Sequence, residues 1–240
     1  MQLSNNKILI TGGGTGIGLG LTQRFLEEGN TLIICGRRAD VLDDIKAKHP
    51  TVITRVCDVT NEASRVDLYN WIATEHSDLN VLINNAGIQE WMNIDNDQFY
   101  AKAYKEINTN VLAPIHLCNL FINLPKLNTI MNVTSGLAFV QLSKVPVYCA
   151  TKAFLHSFTQ SLRHELINKH IEVIEIIPPA LNTDLGGVGL HDEHPPVSAF
   201  IASIFEQLNA GKQELTFGFS EMLAKATPEE VKATFNRMNA

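Results

Sequence analysis

The sequence predicts an α/β fold: a doubly wound, mainly parallel seven-stranded sheet with helices on both faces. Two observations predict this fold. Short β-rich runs alternate with longer helical stretches, and the runs are continuously apolar instead of alternating with polar residues. Strands that are apolar on both sides are covered on both faces, as in a parallel sheet. Right-handed crossovers between such strands then place helices on each side.

The predicted elements follow one another at regular spacing up to Pro178. Continuous apolar runs predict strands at Lys7–Thr11, Thr31–Cys35, Val52–Cys57, Asn80–Asn84, Thr129–Thr134 and Ile171–Ile177. The intervening stretches predict helices over residues 16–28, 39–48, 61–76, 97–123 and 148–169.

The pattern weakens after Pro178. Glycines and prolines punctuate residues 182–197, which predicts a mobile loop that covers a substrate. A helix over 197–210 and a strand near Glu214–Phe219 are expected next. Thr227, Pro228 and Glu230 form an N-cap, first-turn proline and capping-box pattern, which predicts a terminal helix.

We expect a single domain over residues 1–240, because neither an internal repeat nor a low-complexity linker divides the chain. With 45% hydrophobic and 18% charged residues, the composition excludes intrinsic disorder. The net charge of −6 disfavours nucleic acid and anionic membranes as partners. The four scattered cysteines and the lack of a signal-peptide pattern favour a reduced, cytoplasmic protein without a structural metal.

The first predicted strand leads directly into the sequence TGGGTGIG at residues 11–18, where a helix is expected to begin. Glycines allow a tight turn and let backbone amides approach a pyrophosphate, whose charge meets the helix N-terminus. This strand-loop-helix context favours dinucleotide binding over a simple turn. A nucleotide-triphosphatase loop is excluded, because the Gly-Lys-Ser/Thr ending is missing.

The end of the second strand predicts which dinucleotide is bound. In an NAD-binding protein an acidic residue here holds the ribose 2′-hydroxyl. This chain instead has Gly36 followed by Arg37 and Arg38. Arginine can bind a 2′-phosphate through bidentate, charge-assisted hydrogen bonds, so NADP(H) is favoured over NAD(H). The alternative is that the arginines are solvated loop charges.

Four further signals follow the later strands in order: Asp58-Val59, the NNAG sequence of residues 84–87, Ser135, and Tyr148-x-x-x-Lys152. Tyr148 and Lys152 are four residues apart on a predicted helix, so their side chains share a face. A free phenol has a pKa of about 10. We expect the ammonium, together with an oxidised nicotinamide, to lower the pKa of Tyr148. Tyr148 would then act as general acid in reduction and general base in oxidation.

Together, the motifs TGxxxGIG, NNAG and YxxxK resemble the short-chain dehydrogenase/reductase family, in its single-domain, NADP(H)-preferring branch. The resemblance covers nearly all of residues 5–180, and the combination is far more specific than YxxxK alone. It implies a Rossmann-type fold and hydride transfer between the nicotinamide and a carbonyl/alcohol pair. The last sixty residues resemble a bacterial subgroup labelled as an oxidoreductase associated with D-alanine transfer to teichoic acid, which implies no known substrate.

The resemblance also implies residue roles. Lys152 would bond the nicotinamide ribose, Ser135 would bond the substrate oxygen, and Asn110 would hold a water for proton relay, with Asn108 as the competing choice. Where the family commonly has glycine this chain has Pro179, which removes an amide donor. The implied cofactor contacts are Gly12, Gly14, Thr15, Gly16, Ile17, Gly18, Arg37, Arg38, Asp58, Val59, Asn85, Ala86, Gly87, Tyr148, Lys152, Pro178, Leu181 and Thr183.

A small-molecule substrate is expected to contact a mostly apolar set: Gln89, Glu90, Trp91, Leu137, Phe139, Leu142, Leu185 and Val188. That set favours a hydrophobic or mixed carbonyl compound. The helices at 97–123 and 148–169 are apolar around more than one face, and the resemblance implies that they pair across a two-fold axis. A homodimer or homotetramer is therefore expected.

Two other classes of function are considered. One is an NADPH-binding regulatory module without turnover, which could dispense with Ser135, Tyr148 and Lys152. The other is a methyltransferase, which also uses a glycine-rich loop on an α/β sheet. Arg37 and Arg38 disfavour it, because an acid is expected beside uncharged ribose hydroxyls.

Overall fold

The computed structural model describes all 240 residues and contains one sheet of seven parallel strands. The strands are β1 (Lys7–Thr11), β2 (Thr31–Gly36), β3 (Ile53–Val56), β4 (Val81–Asn84), β5 (Thr129–Val133), β6 (Glu172–Ile177) and β7 (Glu214–Thr216). The helices are α1 (Gly16–Glu27), α2 (Ala39–Lys48), α3 (Glu62–Glu75), α4 (Phe99–Ile107), α5 (Ala113–Phe121), α6 (Pro146–Glu165), α7 (Val197–Asn209), α8 (Phe219–Ala224) and α9 (Pro228–Met238). None of them is both long and apolar enough to span a bilayer.

The strand order is β3-β2-β1-β4-β5-β6-β7, and every neighbouring pair is parallel. After β3 the chain crosses the sheet and adds β4 beside β1. The direction of winding therefore reverses between β1 and β4, and the loops that leave these two strands turn to opposite faces. Such a reversal opens a crevice at the carboxyl ends of the strands. The predicted doubly wound Rossmann-type fold is confirmed.

Both faces of the sheet are covered by apolar helices. In β1, Ile8 and Ile10 belong to a core shared with α1, α2 and α7, whereas Leu9 belongs to a second core shared with α3, α5 and α6. Phe25 and Phe121 are fully buried on the two sides. Burial on both faces explains why the strand sequences are continuously apolar.

The single helix predicted over 97–123 is wrong. The structure divides it into α4, a π-helical turn at Asn108–Leu112, and α5. Pro114 has no amide hydrogen to continue the regular helical ladder, and the amide of Ala113 bonds back to the carbonyl of Asn108. The π-helical turn carries Asn110, which is buried.

The predicted strand at Glu214–Phe219 is shorter than expected, and a helix was missed after it. β7 ends at Thr216, the chain turns at Gly218, and α8 begins at Phe219. The Ser220 hydroxyl accepts from the Phe217 amide and bonds the carbonyl of Ile177 on β6, which fixes this turn against the sheet. The predicted capping box of α9 is confirmed, because Thr227 and Glu230 bond each other's backbone amides.

A buried polar contact connects β5, β6 and α6 beneath the crevice. Glu175 on β6 is fully buried and accepts from the Thr134 hydroxyl at 2.6 Å and pairs with Nδ1 of His156 at 2.9 Å. Thr134 precedes Ser135, and His156 lies one turn after Lys152 on α6. Hydrogen bonding to Glu175 raises the pKa of His156, against the opposing effect of burial.

We predict that His156→Asn makes the stability of the protein less dependent on pH. The raised pKa means that His156 stabilises the fold fully below its unfolded-state value, and that this contribution is lost as the pH rises through the folded-state pKa. The Tm difference between wild type and variant should be largest at pH 6 and below and shrink towards pH 9. A difference that stays constant over this range would contradict the assigned ion pair.

Candidate active site

A cleft of about 1380 Å³ runs along the carboxyl ends of the strands and is lined by residues that follow β1, β2, β4, β5 and β6. Its lining includes every predicted cofactor and catalytic residue except Asp58 and Asn110. The cleft thus brings together residues that are more than a hundred positions apart in the sequence. This convergence follows from the parallel sheet, in which the carboxyl ends of all strands share one edge.

Hydrogen bonds connect the glycine-rich loop to the loop after β4. The Thr11 hydroxyl accepts from the amides of Asn85 and Ala86, both at 3.0 Å. The Asn85 side chain donates to the carbonyls of Thr11 and Gly12 at 2.9 and 3.1 Å. Gly12 has φ +66°, and a Cβ at Gly18 would overlap the Gly12 carbonyl oxygen, so both positions require glycine.

The start of α1 presents free backbone donors to the cleft. Thr15 is the N-cap residue but makes no side-chain capping bond, and the first turn contains no acidic residue. The amides of Gly16 and its neighbours are therefore available to an anion at the positive end of the helix. Thr183 approaches Gly16, since a Cβ there would lie 3.5 Å from the Thr183 methyl group, and both residues line the cleft.

Arg37 and Arg38 line the cleft where β2 ends. Both side chains are exposed, and neither belongs to any salt bridge of the protein. Two unpaired guanidinium groups create a positive end of the cleft that suits a phosphate.

Asp58 and Asn110 lie behind the lining of the cleft. Asp58 Oδ1 accepts from the amide and hydroxyl of Thr60, at 2.9 and 2.8 Å, while Val59 and Thr60 themselves line the cleft. Asn110 is 1% exposed and bonds both backbone groups of Ile88, accepting from the amide at 2.9 Å and donating to the carbonyl at 2.8 Å. Its side chain therefore fixes the segment after β4.

Ser135, Tyr148 and Lys152 are buried together at the other end of the cleft. Ser135 follows β5, and its hydroxyl accepts from the Leu137 amide at 3.1 Å. Tyr148 and Lys152 share the face of α6 expected from their spacing, and Lys152 Nζ lies 5.7 Å from the centre of the Tyr148 ring. Lys152 Nζ also donates to the Val133 carbonyl at 2.8 Å.

The chain itself does not lower the pKa of Tyr148, contrary to the sequence-based expectation. Burial raises the pKa of this phenol above its usual range, and hydrogen bonding to Ser135 offsets only part of the increase. Burial also lowers the pKa of Lys152 to about 8, against the opposing charge of Glu106. The expectation weighed the effects of the ammonium and of an oxidised nicotinamide on the phenol, but not desolvation, which disfavours the charged forms of Tyr148 and Lys152.

Six of the eight residues expected to contact a substrate line the cleft. Phe139 is outside the lining and makes an edge-to-face contact with His156, with ring centres 4.7 Å apart, and Val188 is also outside the lining and 87% exposed. Residues 182–196 contain no helix or strand, as expected. Gly186 packs against Gln89 and Trp91, because a Cβ there would lie 3.1 Å from each side-chain nitrogen.

Sequence reasoning missed a group of residues that also line the cleft: Leu190, His191, His194, Phe217, Phe219, Leu223 and Met238. The last four come from the end of the chain, around α8 and α9. The capping box predicted α9 as a helix, but no pattern in the sequence indicated that it returns to the cleft.

A model of the family described as short chain dehydrogenase matches residues 6–193. The chain belongs to the short-chain dehydrogenase family. It is 41% identical to the uncharacterized oxidoreductase DltE of Bacillus subtilis over 250 aligned residues, which cover 100% of this chain and 98% of that relative. It is 29% identical to the 3-oxoacyl-[acyl-carrier-protein] reductase FabG of Chlamydia pneumoniae, over 78% of each chain.

Solved structures of short-chain dehydrogenases have the same fold. A Burkholderia cenocepacia enzyme in complex with NADP aligns with a TM-score of 0.84 at 23% identity and 100% coverage of both chains. An enzyme of Sphingobium yanoikuyae in complex with NADPH aligns with a TM-score of 0.78 at 23% identity, covering 88% of this chain and 87% of the other. This short-chain dehydrogenase is thus a DltE-type oxidoreductase with a fold that binds a nicotinamide cofactor, and the methyltransferase alternative is wrong.

We predict that Gly18→Ala destabilises the glycine-rich loop. The added methyl group would overlap the Gly12 carbonyl and lie 2.5 Å from the Asn85 side-chain nitrogen. Overpacking costs about 1–3 kcal/mol, and each kcal/mol shifts the Tm of a domain of this size by about 2–4 °C. A thermal melt should show a Tm about 5 °C lower. Gly36→Ala is the control, because a Cβ at Gly36 meets no atom within 4 Å; equal Tm values for the two variants would refute the packing explanation.

Proposed function

We propose that the protein is an NADP(H)-dependent reductase that interconverts a carbonyl compound and an alcohol, with Tyr148 as general acid and base. One observation carries the proposal: a single cleft has unpaired arginines at one end and the buried Ser135, Tyr148 and Lys152 at the other. A dinucleotide with a phosphorylated ribose matches this distribution of charge and acid-base groups.

The preference for NADP(H) is supported by residues of this chain. The 2′-phosphate would meet Arg37 and Arg38, the pyrophosphate would meet the amides at the start of α1, and Val59 would border the adenine. Complexes of NADP and NADPH with two structural neighbours agree with this preference. When bound, the nicotinamide supplies or accepts the hydride, and the chain performs the remaining steps.

In reduction, Tyr148 donates its phenolic proton to the carbonyl oxygen as the carbon receives the hydride. The raised pKa of Tyr148 keeps the phenol protonated and ready to donate. Ser135 donates a hydrogen bond to the same oxygen and stabilises the charge that develops on it. Lys152 would bind the ribose of the nicotinamide and, as a cation, would stabilise the phenolate that remains on Tyr148.

The substrate end of the cleft favours an apolar or mixed carbonyl compound. Leu137, Leu142, Leu185, Leu190 and Phe219 provide an apolar wall, and Gln89, Trp91 and His191 add hydrogen-bonding groups. We assign residues 182–197 to a lid over this end, because the segment lines the cleft and packs on Gln89 and Trp91 through Gly186.

We also propose a homodimer or homotetramer in the cytoplasm. Large apolar side chains are exposed on adjoining helices: Tyr100, Tyr104, Ile107, Leu112 and Phe154 are 41–78% exposed. An exposed apolar surface of this kind marks an interaction site. All four cysteines are free thiols, which suits a reducing compartment.

Replacing Tyr148 with Phe should abolish turnover and leave NADPH binding nearly intact, because only the hydroxyl is removed. The measurements are NADPH oxidation with a panel of aldehydes and ketones, and NADPH affinity by fluorescence titration. Retained activity would refute the role of Tyr148. Saturable NADPH binding by wild type with no oxidation by any carbonyl would instead support the regulatory module.

Replacing Arg37 with Ala should weaken NADPH binding by about tenfold or more and change NADH binding little. The lost bond is charge-assisted and is worth about 1.5–3 kcal/mol, and only NADPH carries the 2′-phosphate. The two dissociation constants should be compared with those of Arg55→Ala, whose guanidinium lies on β3 over the ring of Trp71. Equal losses for the two cofactors would disprove the phosphate-binding role.

A further inference from the structure

Glu106 on α4 is a buried carboxyl group that the mechanism above does not use. Its side chain is fully buried; Oε1 accepts from the Glu90 amide at 2.6 Å, and Oε2 has no hydrogen-bond partner. No salt bridge involves it. A buried carboxylate without a paired cation is costly, so its presence here calls for a physical explanation.

The position of Glu106 links it to the wall of the cleft. It lies one helical turn before Asn110, and these two side chains bond the backbone at Glu90 and Ile88. The segment they hold continues into Gln89 and Trp91, which line the substrate end of the cleft. Two side chains one helical turn apart thus hold this segment. Asn110 bonds the backbone of Ile88, and Glu106 bonds the backbone of Glu90.

Two lysines of α4 strengthen the same attachment. Lys105 Nζ pairs with the Glu90 carboxylate at 2.7 Å, and Lys102 Nζ donates to the Trp91 carbonyl at 2.9 Å and lies 4.0 Å from the Glu90 carboxylate. Both lysines contact the Glu90 side chain near the protein surface, whereas Glu106 bonds the Glu90 backbone from the interior.

The charge of Glu106 also acts on α6. Its carboxylate raises the pKa values of Tyr148, Cys149 and Lys152. In Lys152 it is the only group that opposes the effect of burial. The charged and titratable groups that face Glu106 are therefore these three on α6, Lys102 and Lys105 on its own helix, and Glu90 on the segment after β4.

We infer that Glu106 is a positioning residue for the reaction: it holds the cleft wall at Glu90 and, as a carboxylate, keeps the Lys152 ammonium charged. This inference rests on the proposed function, because it concerns the lysine that binds the cofactor. Burial raises the pKa of Glu106 to about 7, with the Glu90 carboxylate adding to the effect and the Glu90 amide and the two lysines opposing it. The carboxyl group therefore changes its charge in the neutral range.

The first test is the pH dependence of NADPH affinity in wild type and in Glu106→Gln. Glutamine keeps an oxygen that accepts from the Glu90 amide but cannot ionise. In wild type, affinity should decline above about pH 8, where Lys152 loses its proton. In the variant this decline should begin about 0.5–1 pH unit lower, since a negative charge near the ammonium has been removed.

Two further variants isolate the effect of charge. Glu75→Gln removes an exposed carboxylate at the end of α3 and should leave the decline at the wild-type pH. Glu106→Asp keeps a carboxylate at this position. The pH at which its NADPH affinity declines should therefore lie closer to the wild-type value than that of Glu106→Gln. A decline at the same pH in wild type and Glu106→Gln would overturn the inference, as would a Glu106→Asp profile identical to that of Glu106→Gln.

The second test does not require cofactor or activity. Between pH 4.5 and about 7 the folded protein retains a proton on Glu106 that the unfolded chain has lost, so the wild type loses stability as the pH rises. The Glu106→Gln variant has no ionisable group at this position, so it does not lose this stability as the pH rises. The Tm of the variant minus that of wild type should increase from pH 5 to 7 and then level off; a flat difference would overturn the inference.

The two tests separate this inference from the proposed function. If wild type binds no NADPH at any pH, the proposed function is wrong and the effect on Lys152 falls with it. If wild type binds NADPH but Glu106→Gln leaves either the affinity profile or the thermal profile unchanged, the role of Glu106 alone is wrong.

Discussion

The hydrogen bonds between the end of β1 and the loop after β4 are the contact on which the site depends. The Thr11 hydroxyl accepts from the Asn85 amide, and the Asn85 side chain donates to the carbonyls of Thr11 and Gly12. These bonds cross the point where the winding direction of the sheet reverses. These hydrogen bonds hold together the two loops that border the crevice. The connection also brings the backbone of Gly12 close to α1, where only glycine fits at position 18. The shape of the phosphate-binding end is thus set by backbone packing.

Burial dominates the electrostatics at the other end of the cleft. It raises the pKa of Tyr148, lowers that of Lys152 and raises that of Glu106, and each shift favours the neutral form. The largest cause of each shift is the desolvation of a buried group. A neutral phenol is suited to donate a proton. Burial works against a charged lysine, and the carboxylate of Glu106 is the group that opposes this effect on the pKa of Lys152.

The sequence predicted the fold and most of the cleft from local patterns. Continuous apolar strands such as Lys7–Thr11 predicted the parallel sheet, and Gly12, residues 14–18, Ser135 and Tyr148 line the cleft as expected. The π-helical turn at Asn108–Leu112 escaped prediction, because one proline inside an apolar pattern does not reveal how the helix will accommodate it. Phe139 was placed at the substrate by its closeness to Ser135 in sequence, but its ring turns to His156.

By itself, the sequence determined the parallel arrangement, the glycines of the loop and the helical spacing of Tyr148 and Lys152, because these depend on neighbouring residues and backbone geometry. Tertiary structure alone decided three other features. It brought Met238 of α9 to the cleft, buried Glu106 beside the attachment of Glu90, and raised the pKa of Tyr148 instead of lowering it. Each of these depends on which distant segments exclude water from a side chain, and that information is not contained in any local pattern of residues.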